Sequence, residues 1–240
     1  MIADEQLRPW ETVRRGLLLL VSSPAGAGKT SLSRRLVADH SDLRLSTSAT
    51  TRPARPGEEE GREYYFKTRE EFGRMIEAGE FLEYAEVNGN LYGTPRAPVE
   101  AALAAGQDVL FDIDWQGARA IAEKMPEDSV RVFILPPAWS DLSRRLYARA
   151  QDSEEVITQR LTLGKEEIAH WGLYDYVIVN KNFDRAYADL GHIYRAERIK
   201  PQRNTWLPEF VAGLLGEAAG EHDAAGAPPR TTMLARPVQK

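Results

Sequence analysis

Short apolar runs alternate with helical patterns through the central part of the chain. The runs cover residues 16–21, Asp108–Asp112, 130–135 and 176–180. Because they are short and apolar at most positions, they are typical of parallel strands whose two faces are buried by crossover helices. The pattern predicts an α/β fold with a doubly wound parallel-sheet core.

The pattern changes over residues 45–97, where prolines and glycines interrupt the chain. An Asn88-Gly89 pair between two extended stretches predicts a tight hairpin. Helical spacing of apolar positions from Phe72 onward predicts one short helix. The segment is therefore predicted to be a small mixed α+β lobe, inserted between two parts of the core, residues 16–44 and 98–200.

Two consecutive helices are predicted within residues 139–165. Ser153 supplies an N-cap signal for the second of them. Both helices carry arginines, among them Arg145, Arg149 and Arg160. We expect these arginines to face one another in a mobile helical lid.

The two ends of the chain lack the pattern of the core. Residues 1–15 are polar and charged, with Trp10 as their large apolar anchor, and we expect a loose N-terminal arm. A C-terminal helix is predicted over residues 201–215. Residues 216–240 are rich in Ala, Gly and Pro and lack apolar periodicity, so burial cannot offset the entropy of ordering them, and we expect a disordered tail.

Composition narrows the class of protein. The chain has 240 residues, of which 42% are hydrophobic and 28% charged, which is ordinary for a globular protein with one substantial core. It has no cysteine, which excludes disulfides and thiolate metal sites. Its histidines show no metal-ligand spacing; they are His40, His170, His192 and His222.

Net charge and hydropathy indicate which partners and which cellular compartment to expect. A net charge of -5 argues against a broad nucleic-acid-binding face, although arginines cluster locally. The apolar run at residues 16–21 is too short to span a bilayer, and no cleavage pattern follows it. We therefore expect a cytoplasmic protein that binds neither nucleic acid nor membrane.

The first apolar run leads into a phosphate-binding loop. The loop and the residues that follow it are Ser23, Pro24, Ala25, Gly26, Ala27, Gly28, Lys29 and Thr30. Its glycines let backbone N–H groups point inward, and the next helix directs its positive end at the same place. Lys29 would reach the β- and γ-phosphates of a nucleotide, and the Thr30 hydroxyl would hold Mg²⁺. A glycine-rich turn before a helix is the alternative, but it leaves Lys29 unexplained.

A second cluster points to another phosphate. Arg52 and Arg55 lie three residues apart in a proline-interrupted segment, where two guanidinium groups can converge on one anion. Tyr64 can add a hydroxyl donor. Such a clamp suits a phosphate monoester, whereas the alternative is a pair of solvated surface arginines.

Four segments together resemble the guanylate kinase family. They are residues 48–58, 80–85 (EFLEYA), 89–94 (GNLYGT) and 112–117 (DIDWQG), and the resemblance runs in order from about residue 16 to residue 198. It implies a kinase that transfers a phosphoryl group from ATP, with Mg²⁺, to GMP and dGMP. The chain departs from the family pattern at Ser23, Ala150 and Lys181.

The resemblance also implies roles for individual residues. The inserted lobe would bind GMP. The phosphate of GMP would be held by Arg52, Arg55, Tyr64 and Tyr92, and the guanine would be bound by Ser48, Glu83, Thr94 and Asp114. Glu58, in the segment of Arg52 and Arg55, would also belong to the GMP site. Lys29, Arg145, Arg149 and Arg160 would be catalytic, and Asn180 would lie near the donor adenine. Glu83 has an independent rationale, because a carboxylate accepts from guanine N1–H and N2–H₂ whereas adenine has no donor at N1.

Asp112 and Asp114 follow a predicted strand whose end should face the phosphates. One of them would orient water on Mg²⁺ and the other would support the acceptor nucleotide, with Asp112 as the candidate for the metal beside Thr30. Strand-end aspartates also act as helix caps.

Three other functions share parts of the pattern. A ribose-bisphosphate kinase has the core and the loop but no use for Glu83 and Thr94 as guanine readers. A non-catalytic guanylate-kinase-like module would keep the arginine pocket for a phosphopeptide, but it usually lacks the phosphate loop. A plain P-loop ATPase would lack an acceptor lobe.

Overall fold

The computed structural model describes residues 14–87, 89–148 and 153–224, with side chains up to residue 217. Its strands are β1 (Leu18–Ser22), β2 (Leu43–Leu45), β3 (Ser48–Thr50), β4 (Tyr64–Phe66), β5 (Phe81–Val87), β6 (Asn90–Pro95), β7 (Asp108–Asp112), β8 (Ser129–Leu135) and β9 (Tyr176–Val179). Its α-helices are α1 (Lys29–Asp39), α2 (Arg69–Glu77), α3 (Arg96–Ala104), α4 (Trp115–Lys124), α5 (Trp139–Ala148), α6 (Glu154–Ala169), α7 (Phe183–Arg198) and α8 (Leu207–Ala224).

The core is a five-stranded sheet in the order β2-β7-β1-β8-β9. All of its strand pairs are parallel, as the apolar runs predict. Every residue of β1 is buried. Leu19 and Val21 pack in one hydrophobic cluster with side chains of α1 and α7, and Leu18 and Leu20 pack in another with side chains of α3 and α4. The central strand β1 thus contributes side chains to the hydrophobic clusters on both faces of the sheet. Each buried leucine stabilises the fold by about 2 kcal/mol.

A second sheet forms within the segment where the pattern changes. Its order is β4-β3-β6-β5, with β3 and β4 parallel and the other pairs antiparallel. The β5–β6 pairing ends at Val87 and Asn90, at the predicted hairpin; Asn88 itself lies outside the described residues. Helix α2 begins with a capping box between Thr68 and Glu71 and buries Phe72 against this sheet. The strands and the helix agree with a mixed α+β segment.

Two elements differ from the sequence prediction. Strand β2 was not predicted, because it has only three residues and just Leu43 among them is buried. Helix α8 runs to Ala224, well past residue 215, so the first part of the predicted disordered tail is helical. Helix α8 belongs to a compact unit separate from Val13–Asn204. Residues 225–240 lie outside the described residues.

The end of the predicted N-terminal arm is not loose. Arg15 donates two hydrogen bonds of 2.6 Å to Asp128, and its backbone N–H donates to the Arg203 carbonyl. Arg14 forms a salt bridge with the buried Asp108. Charge pairing therefore fixes residues 14 and 15 to the core, which corrects the expectation for this part of the arm; residues 1–13 lie outside the described residues.

Asp108 is a buried carboxylate with four partners among the described residues. Its side chain is fully buried and accepts hydrogen bonds from the Leu17 backbone N–H at 2.8 Å and the Tyr194 hydroxyl at 2.6 Å. Arg14 and Arg198 supply positive charge. The network ties the first strand to helix α7 and compensates the desolvation of the carboxylate.

No helix in the described ranges has the length and apolar character needed to cross a membrane.

Replacing Asp108 with alanine should lower the free energy of unfolding by about 3–5 kcal/mol, because it leaves buried donors and cations without their acceptor. Urea unfolding followed by circular dichroism measures the change. Glu123→Ala is the control, since Glu123 pairs with Arg119 on the surface and should contribute less than about 1 kcal/mol. Equal stability losses in the two variants would contradict the role of the Asp108 network.

Candidate active site

The loop after β1 is shaped by two glycines and braced by a distant strand. Gly26 and Gly28 have φ angles of 92° and 103°, which other residues rarely adopt. A Cβ atom at Gly28 would lie 2.3 Å from Nδ2 of Asn180. That amide donates to the Ala27 carbonyl at 2.8 Å. Asn180 is buried, so the side chain expected near the donor adenine supports the loop backbone.

Helix α1 begins at Lys29, at the end of the loop, and its first side chains meet Asp112. Lys29 Nζ lies 2.5 Å from Asp112 Oδ1 and donates to the Ile113 carbonyl at 3.2 Å. The Thr30 hydroxyl donates to Asp112 Oδ2 at 2.9 Å. This arrangement follows from the sheet, because Val21 and Asp112 are paired at the carboxyl ends of neighbouring parallel strands.

Thr30 and Asp112 fit magnesium in part. Hydroxyl and carboxylate oxygens are the donors that Mg²⁺ prefers, and it usually completes its shell with phosphate oxygens and water. Across the described residues no group of three or more His, Cys, Asp or Glu side chains could hold a metal. A metal here would therefore depend on a nucleotide for further ligands.

A cavity of about 270 Å³ opens over the phosphate loop. Its lining includes most of the predicted ATP-binding residues: Ser23, Pro24, Ala25, Gly26, Gly28, Lys29 and Thr30. Asp112 and Glu167 complete one side. Glu167 was not predicted, because within the run Lys165-Glu166-Glu167 its charge is typical of a solvated helix face.

A larger cavity of about 670 Å³ lies beside the second sheet. It brings together six of the predicted GMP-binding residues: Ser48, Tyr64, Glu83, Tyr92, Thr94 and Asp114. Asp112 lines this cavity as well as the one over the phosphate loop. The two cavities therefore meet at one carboxylate.

Glu83 and Thr94 form a pair on neighbouring strands of the second sheet. The Thr94 hydroxyl donates to Glu83 Oε1 at 2.6 Å. Burial raises the pKa of Glu83, and the negative charge of Asp114 raises it further, whereas the Thr94 hydrogen bond and the charge of Lys124 act in the opposite direction. Lys124 lines the same cavity and was not predicted, because a basic residue in the last turn of a helix is a usual capping feature.

The arginine segment is organised by Glu58. Arg52 donates to both carboxylate oxygens of Glu58, at 2.8 and 2.9 Å, and lies over the Tyr64 ring at 5.3 Å. The Arg55 backbone N–H donates to Glu58 at 2.8 Å; this contact and the Arg52 guanidinium hold the pKa of Glu58 below its usual range. A carboxylate repels phosphate, so Glu58 orients Arg52, and the exposed Arg55 side chain stays available to an anion.

Asp114 has two roles that the sequence left as alternatives. Its Oδ1 accepts the Gly117 backbone N–H at 2.8 Å and caps helix α4. It also lines the larger cavity. The capped helix therefore holds this carboxylate in the cavity wall.

The structure places one predicted lid arginine on the phosphate loop. Arg145 on α5 donates to the carbonyls of Ala27 and Asn180, at 3.4 and 3.1 Å. Arg160 lies half-buried on α6. Arg149 lies outside the described residues.

Comparisons with known proteins identify the family of the chain. A family model described as guanylate kinase matches residues 15–197. A guanylate kinase of Caulobacter vibrioides is 58% identical over 203 residues, which cover 85% of this chain and 95% of that protein. One of Bradyrhizobium diazoefficiens is 54% identical, covering 86% of this chain and 94% of its own. A crystal structure of guanylate kinase from Anaplasma phagocytophilum matches with a TM-score of 0.64 and 39% identity over 83% of this chain and 95% of its own, which confirms the predicted fold class.

Glu83→Gln should make the protein more stable at pH 8 and should lose this advantage as the pH falls. A raised pKa in the folded state means that the wild type binds this proton more tightly when folded, so its stability declines as pH rises through that pKa. A neutral glutamine avoids this cost. Below about pH 4 both side chains are uncharged and the stabilities should converge.

Urea unfolding across this pH range measures the effect. Glu86→Gln is the matched control, because Glu86 lies on the same strand but is exposed and pairs with Arg69. A difference between Glu83→Gln and wild type that does not change with pH would exclude the electrostatic explanation.

Proposed function

The chain belongs to the guanylate kinase family, and we propose that it transfers the γ-phosphoryl group of ATP to GMP or dGMP. The observation that carries the proposal is the meeting of two cavities at Asp112, one over the phosphate loop and the other lined by Glu83 and Thr94. A donor phosphate in the first and an acceptor in the second would be neighbours. Direct transfer requires this placement, because the reacting oxygens must be in line.

Glu83 would select the base. Its two oxygens can accept the parallel N–H donors of guanine, and the Thr94 hydroxyl holds one of them in place at 2.6 Å. Adenine offers no donor at N1 and would leave a desolvated carboxylate unpaired. Ser48 and Asp114 lie in the same cavity wall and would complete the contacts to guanine.

The GMP phosphate would bind at the edge of this cavity. Arg52 lies over Tyr64, and Tyr64 and Tyr92 pack with ring centroids 6.0 Å apart. The guanidinium is held by Glu58, so its position is set before the anion arrives. Arg55 would supply the second positive charge.

Positioning and charge neutralisation would account for catalysis. Lys29 and the loop N–H groups would bind the β- and γ-phosphates, and Arg145, Arg149 and Arg160 would neutralise the transferring group. Mg²⁺ bound with ATP would be held by Thr30 and by Asp112, through water, and would supply further neutralisation. No side chain acts as a covalent nucleophile in this proposal. The complete phosphate loop distinguishes it from a non-catalytic phosphopeptide module.

The base-selection role predicts a selective defect. Glu83→Gln replaces one acceptor with an N–H₂ donor, so both guanine donors can no longer be paired. The specificity constant for GMP should fall roughly 30- to 1000-fold, while that for AMP should change little. Steady-state assays of ADP release with GMP, AMP, CMP, UMP and ribose bisphosphate, at saturating Mg²⁺-ATP, measure this. Equal losses for GMP and AMP would show that Glu83 supports the fold or the phosphate clamp instead.

Separate sites for donor and acceptor predict separable defects. Lys29→Ala should reduce turnover on the order of 10³-fold and leave the dissociation constant of GMP within about threefold, because Lys29 serves the donor phosphates. Arg52→Ala should raise the Michaelis constant for GMP about tenfold or more and also slow turnover. Calorimetric GMP titration and kinetics test both, with the exposed Arg69→Ala as the control. Loss of GMP affinity in Lys29→Ala would contradict two sites.

A further inference from the structure

An acidic side chain of helix α6 lies in the cavity over the phosphate loop. Glu167, near the end of α6, lines this cavity together with Lys29. The Ala25 backbone N–H and the charge of Lys29 both favour its ionised carboxylate and act to lower its pKa. Helix α6 thus places a carboxylate in the cavity where the loop would bind phosphate.

Close packing of α6 on the loop holds this carboxylate in place. A Cβ atom at Gly164 would lie 3.5 Å from Cβ of Pro24, so the helix rests directly on the loop. Glu167 is three residues further along and lies on the same helix face. The C-terminal end of α6 is held by His170, whose ring stacks on that of Trp115. The ring centroids are 3.5 Å apart and the angle between the ring planes is 9°.

The physical consequence is competition between anions. Inward-pointing N–H groups of such a loop are the donors that bind nucleotide phosphates. A carboxylate that already lies in the cavity beside these donors must move when a phosphate binds, or must remain next to the phosphate as a like charge. Burial raises the pKa of Glu167, Lys29 lowers it and Asp114 raises it, which agrees with a carboxylate surrounded by charged groups of both signs.

We propose that Glu167 is a positioning residue that occupies the phosphate loop in the empty enzyme and weakens binding of the donor nucleotide. This role rests on the proposed function, in which the loop binds ATP. The carboxylate lies in the loop cavity when no nucleotide is present and disfavours the phosphates of the spent nucleoside diphosphate. Release of product, which limits turnover in many enzymes with lids, is thereby favoured.

Calorimetric titration of the full chain with ADP tests the proposal. Glu167→Gln keeps the size of the side chain but removes the charge, and the dissociation constant for ADP should fall about tenfold. The gain should be larger without Mg²⁺ than with it, because the metal neutralises part of the phosphate charge. Glu166→Gln is the matched control: it removes the same charge one residue away, at an exposed position, and should change the constant by less than about twofold.

Glu167→Asp provides a second variant that retains the charge and is one methylene shorter. It draws the carboxylate back from the phosphate loop and should give an intermediate gain in ADP affinity. Thermal unfolding without nucleotide verifies that each variant is folded. Weaker ADP binding in Glu167→Gln, or equal gains in Glu167→Gln and Glu166→Gln, would overturn the proposal. Failure of the wild type to bind ADP would instead contradict the proposed function.

Discussion

The arrangement of the site depends on the parallel pairing of β1 with β7. Because neighbouring parallel strands end at the same edge, the pairing of Val21 with Asp112 places an acidic side chain directly beside the phosphate loop. From there Asp112 contacts Lys29 and Thr30 and enters the walls of both cavities. A change of register by one residue would turn this carboxylate to the opposite face of the sheet and separate the two cavities.

Several carboxylates of the site lie where burial or a neighbouring negative charge disfavours their ionised form. Glu83 is desolvated, Asp114 caps a helix next to it, and Glu167 lies over the loop. Glu83 and Asp114 each have a compensating contact that keeps the carboxylate oriented: the Thr94 hydroxyl for Glu83 and the N-terminus of helix α4 for Asp114. Such placement lowers the free energy of unfolding. In return, the acceptors are already oriented, so a donor group or a cation can bind them without reorganisation of the site.

The sequence predicts local features better than distant contacts. Apolar runs predict four core strands, and glycine spacing predicts the loop, because both signals lie within a few residues. Strand β2 was missed because its only buried residue is Leu43. The fixed position of Arg14 and Arg15 was missed because their acidic partners lie 94 and 113 residues away. Glu167 was missed for a similar reason, since only the packing of Gly164 on Pro24 brings it to the loop.

The partners of Asp108 have a consequence for the order of events during synthesis. They come from both ends of the compact unit: Arg14 and Leu17 near its start, Tyr194 and Arg198 near its end. A chain still on the ribosome without its last helix would have to bury this carboxylate with half of its partners missing, which is costly. We therefore expect the central sheet to stay open until residue 198 has left the exit tunnel, so that folding of this unit follows translation closely instead of accompanying it.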